Sequence, residues 1–75
     1  MTKHRDELVR LGKAICKLRT RRPLSEVSLA KKAGLTKARL NAIESGEAEA
    51  NVLELAKLGK AIGVTAEELI ATAGL

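Results

Sequence analysis

The sequence predicts an all-α fold, a compact bundle of five short helices, and three observations predict it. Apolar residues recur at spacings of three and four along almost the whole chain, with no alternating strand pattern. Cap residues and glycines punctuate the pattern at helical intervals. The 75 residues are 45% hydrophobic, too apolar for a disordered tail and enough for one small domain spanning residues 1–75.

The first helix is expected from Asp6 to Arg21. Leu8, Leu11, Ile15 and Leu18 form its apolar stripe, and Arg10, Lys13, Lys17 and Arg21 the opposite side. Pro23 bars its continuation. Ser25 caps a second helix, Glu26 to Lys32, with Val27, Leu29 and Ala30 inward, and Gly34 closes it as a left-handed residue. Thr36 caps a third, Lys37 to Ser45, with Leu40 and Ile43 inward and Gly46 as terminator. Asn51 and Glu54 form a capping box that opens a fourth helix, with Val52, Leu55, Ala56, Leu58 and Ile62 inward and Gly63 at its end. Thr65 and Glu68 repeat the box and open a short fifth helix containing Leu69 and Ile70. No repeat, low-complexity segment or long linker divides the chain.

Composition narrows the function. The absence of Phe, Tyr and Trp rules out base-stacking platforms and aromatic cages. Cys16 is the lone cysteine, so no intrachain disulfide or multi-cysteine zinc site can form; it reads as a small buried or half-buried helix residue. His4 is the only histidine and lies near the terminus, and no spacing of Ser, Glu or Lys forms a catalytic set. The chain is expected not to be an enzyme and to need neither metal nor cofactor. No run approaches the ~20 apolar residues of a membrane span, and Met1–Arg10 is no signal peptide. A cytoplasmic protein is expected.

The net charge of +5 is unevenly placed. Residues 1–40 carry 12 basic and three acidic side chains, and residues 41–75 carry two and six. Such polarity suits a domain that meets a polyanion with one end. Two short helices joined by a tight glycine turn, over about residues 25–45, are either a plain helical hairpin or a helix-turn-helix, whose second helix can enter the DNA major groove. With Leu40 and Ile43 inward, the outer side collects Ala38, Asn41, Ala42 and Ser45, with Lys37 and Arg39 on the flanks. Asn41 can bond adenine N6 and N7, Lys37 can reach guanine O6 or N7, and Ala38 and Ala42 can touch thymine methyls.

The stretch LSEVSLAKKAGLTKARLNAIESG resembles the core of the Cro/phage-repressor-type, or XRE, regulators. That family's pattern is Leu-Ser-Gln-x-x-Leu-Ala-x-x-x-Gly-Val-Ser, followed by a recognition helix ending in Ile-Glu-x-Gly. Leu24, Ser25, Leu29, Ala30, Gly34, Leu35, Ile43, Glu44 and Gly46 meet it. Leu11 to Arg19 resembles the family's first helix, and residues 53–57 and 61–65 its fourth helix and the entry to the fifth, so the likeness covers about residues 8–70. It implies a lambda-repressor-like DNA-binding domain acting as a transcriptional regulator, a repressor, on double-stranded DNA. It implies base contacts from the third helix, with Lys37 in its first turn, and a structural ion pair between Arg19 and Glu44. Ser25, Thr36, Arg39, Lys31, Arg22 and Ser45 are the candidate backbone contacts, and Arg21 and Lys32 can add charge. A homodimer is expected, with Leu69, Ile70 and Leu75 as its surface.

Two departures from the family stand out. Glu26 replaces the Gln that bonds a phosphate in relatives, and Glu47 and Glu49 make the connection after the third helix acidic. They support an alternative, a protein-interaction module such as an antitoxin or a subunit of a larger regulator. A membrane-surface or calmodulin-target role for the basic first helix is disfavoured, because the core needs its apolar stripe.

Overall fold

A computed structural model describes the backbone of residues 2–75 and the side chains of residues 5–75. The side chain of His4 therefore lies outside the described residues. Among the described residues five helices follow one another: α1 Thr2–Arg21, α2 Glu26–Ala33, α3 Lys37–Glu44, α4 Val52–Ile62 and α5 Ala66–Thr72. No strand occurs among the described residues.

The starts of α2 to α5 are set by side chains that satisfy the first free backbone N–H groups. Ser25 Oγ accepts from the Ser28 amide at 3.1 Å, and Thr36 Oγ1 from the Arg39 amide at 3.0 Å. Both capping boxes form. Asn51 Oδ1 accepts from Glu54 N while Glu54 Oε1 accepts from Asn51 N, and Thr65 and Glu68 do the same. Gly34, at φ 72°, closes α2 in the left-handed region, where its N–H meets the Lys31 carbonyl.

One cluster of aliphatic side chains fills the centre. Ile15, Leu29, Leu40, Ile43, Leu58 and Leu69 are each almost wholly covered, and all five helices supply at least one of them. α3 contributes only Leu40 and Ile43, so it is held by a narrow apolar edge and leaves the rest of its circumference outward. Gly12 lets α1 approach the end of α3 closely: a Cβ there would collide with the carbonyls of Ile43 and Glu44.

Several side chains expected inward are outside. Val27 lies over about 100° from the centre of the stripe that Leu29, Ala30 and Ala33 form, and is 57% exposed. The buried side of α4 starts at Leu55 and runs through Leu58, Gly59 and Ile62, so its first turn overhangs the core. Val52 is 82% exposed, and Leu53 and Ala56 are exposed too. Leu69 corrects the expected dimer surface, because it is fully buried and belongs to the core. Ile70 and Leu75 remain exposed.

Candidate nucleic-acid interface

α2 and α3 meet at the Gly34 turn, and α3 is held at both ends by ion pairs to other helices. At its C-terminal end, Arg19 Nε donates to Glu44 Oε2 at 2.9 Å and Nη2 donates to Oε1 at 3.3 Å. The guanidinium and carboxylate meet as a fork, the strongest form of this contact. Arg19 Nη1 also donates to the Leu24 carbonyl at 2.9 Å, and Nη2 reaches Cys16 Sγ at 3.5 Å. One side chain of α1 therefore ties down both the α1–α2 connection and α3. The side chains of Arg19 and Glu44 are only 13% and 7% exposed. Burial pushes the Glu44 carboxyl above its ordinary value against the pull of Arg19, and Glu26 nearby adds to the rise.

At the N-terminal end the clamp is Arg39, a candidate contact to the DNA backbone. The structure redirects it. Arg39 Nε and Nη2 donate to Glu54 Oε2 and Oε1 at 2.9 and 2.8 Å, and Nη2 also donates to the Glu49 carbonyl at 2.9 Å. Glu54 holds this fork while it caps α4 through the Asn51 amide. Both contacts stabilise its ionised form, and its carboxyl falls to about 2. No local signal marks this pair, since its partners lie 15 residues apart on different helices.

Outward α3 presents Lys37, Ala38 and Asn41, all exposed, and the half-buried Ala42. Asn41 is not free of the protein: its Nδ2 donates to Glu26 Oε2 at 3.3 Å. Ser25 and Thr36 accept backbone protons as caps, which leaves each hydroxyl proton available to a phosphate. Ser45 is exposed at the end of α3, where its hydroxyl donates to the Ala42 carbonyl at 3.1 Å. Arg22 and Lys31 lie near α4. The Arg22 guanidinium sits beside Gly63, and Lys31 lines an open concavity of about 450 Å³ with Lys32, Lys57 and Lys60. Glu47 is exposed in the connection after α3.

On the far side, Leu8, Leu55, Ile70 and Leu75 line a mainly apolar groove of about 210 Å³, with Glu7 and Glu49 at its edge. No group of three or more metal-ligating side chains comes together among the described residues, and no helix there is long and apolar enough to cross a membrane.

Comparison with known proteins agrees with this arrangement. A family model described as helix-turn-helix matches residues 17–69. The structure of the restriction-modification controller protein C.AhdI from Aeromonas hydrophila is similar with a TM-score of 0.81 and 31% identity, over 83% of this chain and 94% of that one. The clp gene regulator ClgR from Corynebacterium glutamicum superposes with a TM-score of 0.88 over 91% of this chain and 87% of its own, at 22% identity, a likeness of fold alone. No protein of curated function matches the sequence significantly.

Proposed function

The chain belongs to the helix-turn-helix family of the Cro/C1 (XRE) type, and on that premise we propose that it is a sequence-specific regulator of transcription that binds duplex DNA. The finer reading is a repressor that works as a homodimer and reads the major groove with α3. The observation that carries it is the presentation of α3. A helix with two buried side chains is clamped at both ends by forked ion pairs, and its remaining face, with Lys37, Ala38 and Asn41, is turned outward. A groove-reading helix must be held in a fixed pose by its own scaffold, and the clamps supply that.

Lys37 stands in the first turn of α3, where a side chain can reach guanine O6 or N7, and the methyls of Ala38 and Ala42 fit thymine C5-methyl groups. The hydroxyls of Ser25 and Thr36 serve the phosphates on either side. Arg22, Lys31 and Lys32 add long-range attraction rather than seated contacts. The restriction-modification controller protein C.AhdI, by its description, supports the same role. One domain makes few base contacts, so affinity rests on phosphate neutralisation and on pairing over two half-sites. The apolar groove that Ile70 and Leu75 line is the surface assigned to the second copy. The reading requires no catalytic residue, metal or cofactor, and places the protein in the cytoplasm.

Glu26 beside Asn41 and the exposed Glu47 favour a second reading, in which the same face binds a partner protein. Selection of bound sites from random duplexes at low salt separates the two. The proposal predicts an enriched palindrome whose affinity falls linearly in log K against log salt. Absence of any enriched or shifted duplex at low salt sinks it in favour of the protein partner.

A further inference from the structure

Asn41 is the only carboxamide on α3. A free carboxamide can present either end outward, because a half-turn about its terminal bond exchanges oxygen and nitrogen. Here one end is already assigned. Glu26 opens α2, and its Oε2 lies 3.3 Å from Asn41 Nδ2. A carboxylate only accepts, so the flipped amide would set two acceptors against each other with no proton between them. Glu26 is itself half-buried at the first position of α2, where the helix dipole favours a negative charge. The neighbours of Asn41 on the outward side, Ala38 and Ala42, are small and leave room for a base edge to approach.

We propose that Glu26 is a specificity-determining positioning residue: it holds Asn41 with Nδ2 inward and Oδ1 outward, so that this position of α3 selects a base bearing a major-groove amino group. Such bases are adenine, through N6, and cytosine, through N4. Guanine and thymine offer only acceptors at the corresponding edge and would oppose Oδ1. The second Nδ2 hydrogen has no partner among the described residues and can reach adenine N7, which ranks adenine first. The inference rests on the DNA-reading role of α3 and adds to it a chemical preference at one position.

Two measurements test it. The first uses the free protein, with the Asn41 side-chain amide followed by ¹⁵N NMR. One Nδ2 proton is bonded to Glu26 and the other is not, and E26A should move the bonded proton's shift and raise its water-exchange rate to those of a free carboxamide, leaving the other proton little changed. The second compares four duplexes that differ only at the base pair where N41A loses discrimination. The wild type is expected to prefer adenine or cytosine there over guanine or thymine by about fivefold to a hundredfold, the range of one specific base contact. E26Q, whose amide can donate or accept, should bring that ratio below about threefold, and should add nothing in the N41A background. Removing the negative charge should also raise affinity for all four duplexes, and this common gain is separable from the lost ratio. A common gain with the ratio intact overturns the proposal, as does an Asn41 amide that ignores E26A. An amide that responds in a protein that binds no duplex at low salt instead overturns the DNA reading, and the base preference falls with it. The three substitutions lie at positions outside the core, and an unchanged helical circular dichroism spectrum with a cooperative melt verifies that each variant is folded.

Discussion

Arg19→Ala is expected to cost more stability than any other single loss of a charged side chain. The substitution removes two charge-assisted bonds to Glu44 and one bond to the Leu24 carbonyl, and strands a carboxylate that is only 7% exposed. Hydrogen bonds to charged groups contribute about 1.5–3 kcal/mol net, and breaking a buried pair from one side costs about 3–5 kcal/mol. The guanidinium is 13% exposed, so water reaches the site in part and the lower end applies, about 3 kcal/mol. Glu44→Ala should cost less, about 2 kcal/mol, because Arg19 keeps the Leu24 carbonyl as a partner. Arg19→Lys should fall between Arg19→Ala and wild type, since an ammonium cannot make the fork. For a domain of this size, whose whole stability is about 0.05–0.15 kcal/mol per residue, a loss of this kind shifts the melting temperature by well over about 10 °C. Urea unfolding read by circular dichroism measures it, with an unchanged m-value as the sign that the unfolded state is not involved. Arg19→Ala within about 0.5 kcal/mol of wild type, or additive effects of Arg19→Ala and Glu44→Ala in the double variant, would refute the clamp.

Other outcomes follow from the same geometry. The Glu54 carboxyl is held at about 2, so the unfolded chain binds its proton first; the stability it adds is present above its ordinary value of 4.5 and is lost as pH falls through about 2. The difference in acid unfolding between wild type and Glu54→Gln isolates this contribution, and parallel curves would contradict it. Gly12→Ala should destabilise by about 1–3 kcal/mol, because the added methyl meets backbone carbonyls that cannot yield, and a neutral outcome in urea unfolding would deny the close approach of α1 to α3. Lys37→Ala should alter which duplexes are preferred by about 1–3 kcal/mol, whereas Lys31→Ala should weaken all duplexes alike or not at all. Competition binding across a panel of sites distinguishes them, and a uniform loss for Lys37→Ala would remove it from the groove.

The starts of α2 to α5 were legible in the sequence because a cap is a local event, whereas α1 begins at Thr2, four residues before the expected Asp6. Ser25, Thr36, Asn51 and Thr65 each act on the third residue after them, within reach of any reading of four residues. The pair of Arg19 and Glu44 came only with the family resemblance, since nothing local joins residues 25 apart. Arg39 and Glu54 were missed for the same physical reason: the α3–α4 connection decides which carboxylate the guanidinium meets. Helical periodicity placed stripes but not their ends. Leu69 and Ile70 are neighbours about 100° apart on a short helix, and only packing against the other helices decides which one turns inward. Val52 fits the period of α4, yet the core ends one turn after it. Gly12, a glycine inside an otherwise regular amphipathic helix, marks a close backbone approach that the apolar period does not register.

The central claim is that α3, fixed by its two clamps, is the element that docks on DNA. Titration of the ¹⁵N-labelled protein with a selected duplex tests this most directly, through the backbone amides whose resonances move. The account predicts that the largest changes fall on residues 25–28 and 36–42, at the starts of α2 and α3, with little change in α5 beyond what pairing of two copies produces. Changes centred on α1 and the Lys31, Lys32, Lys57 and Lys60 concavity, with α3 silent, would contradict it.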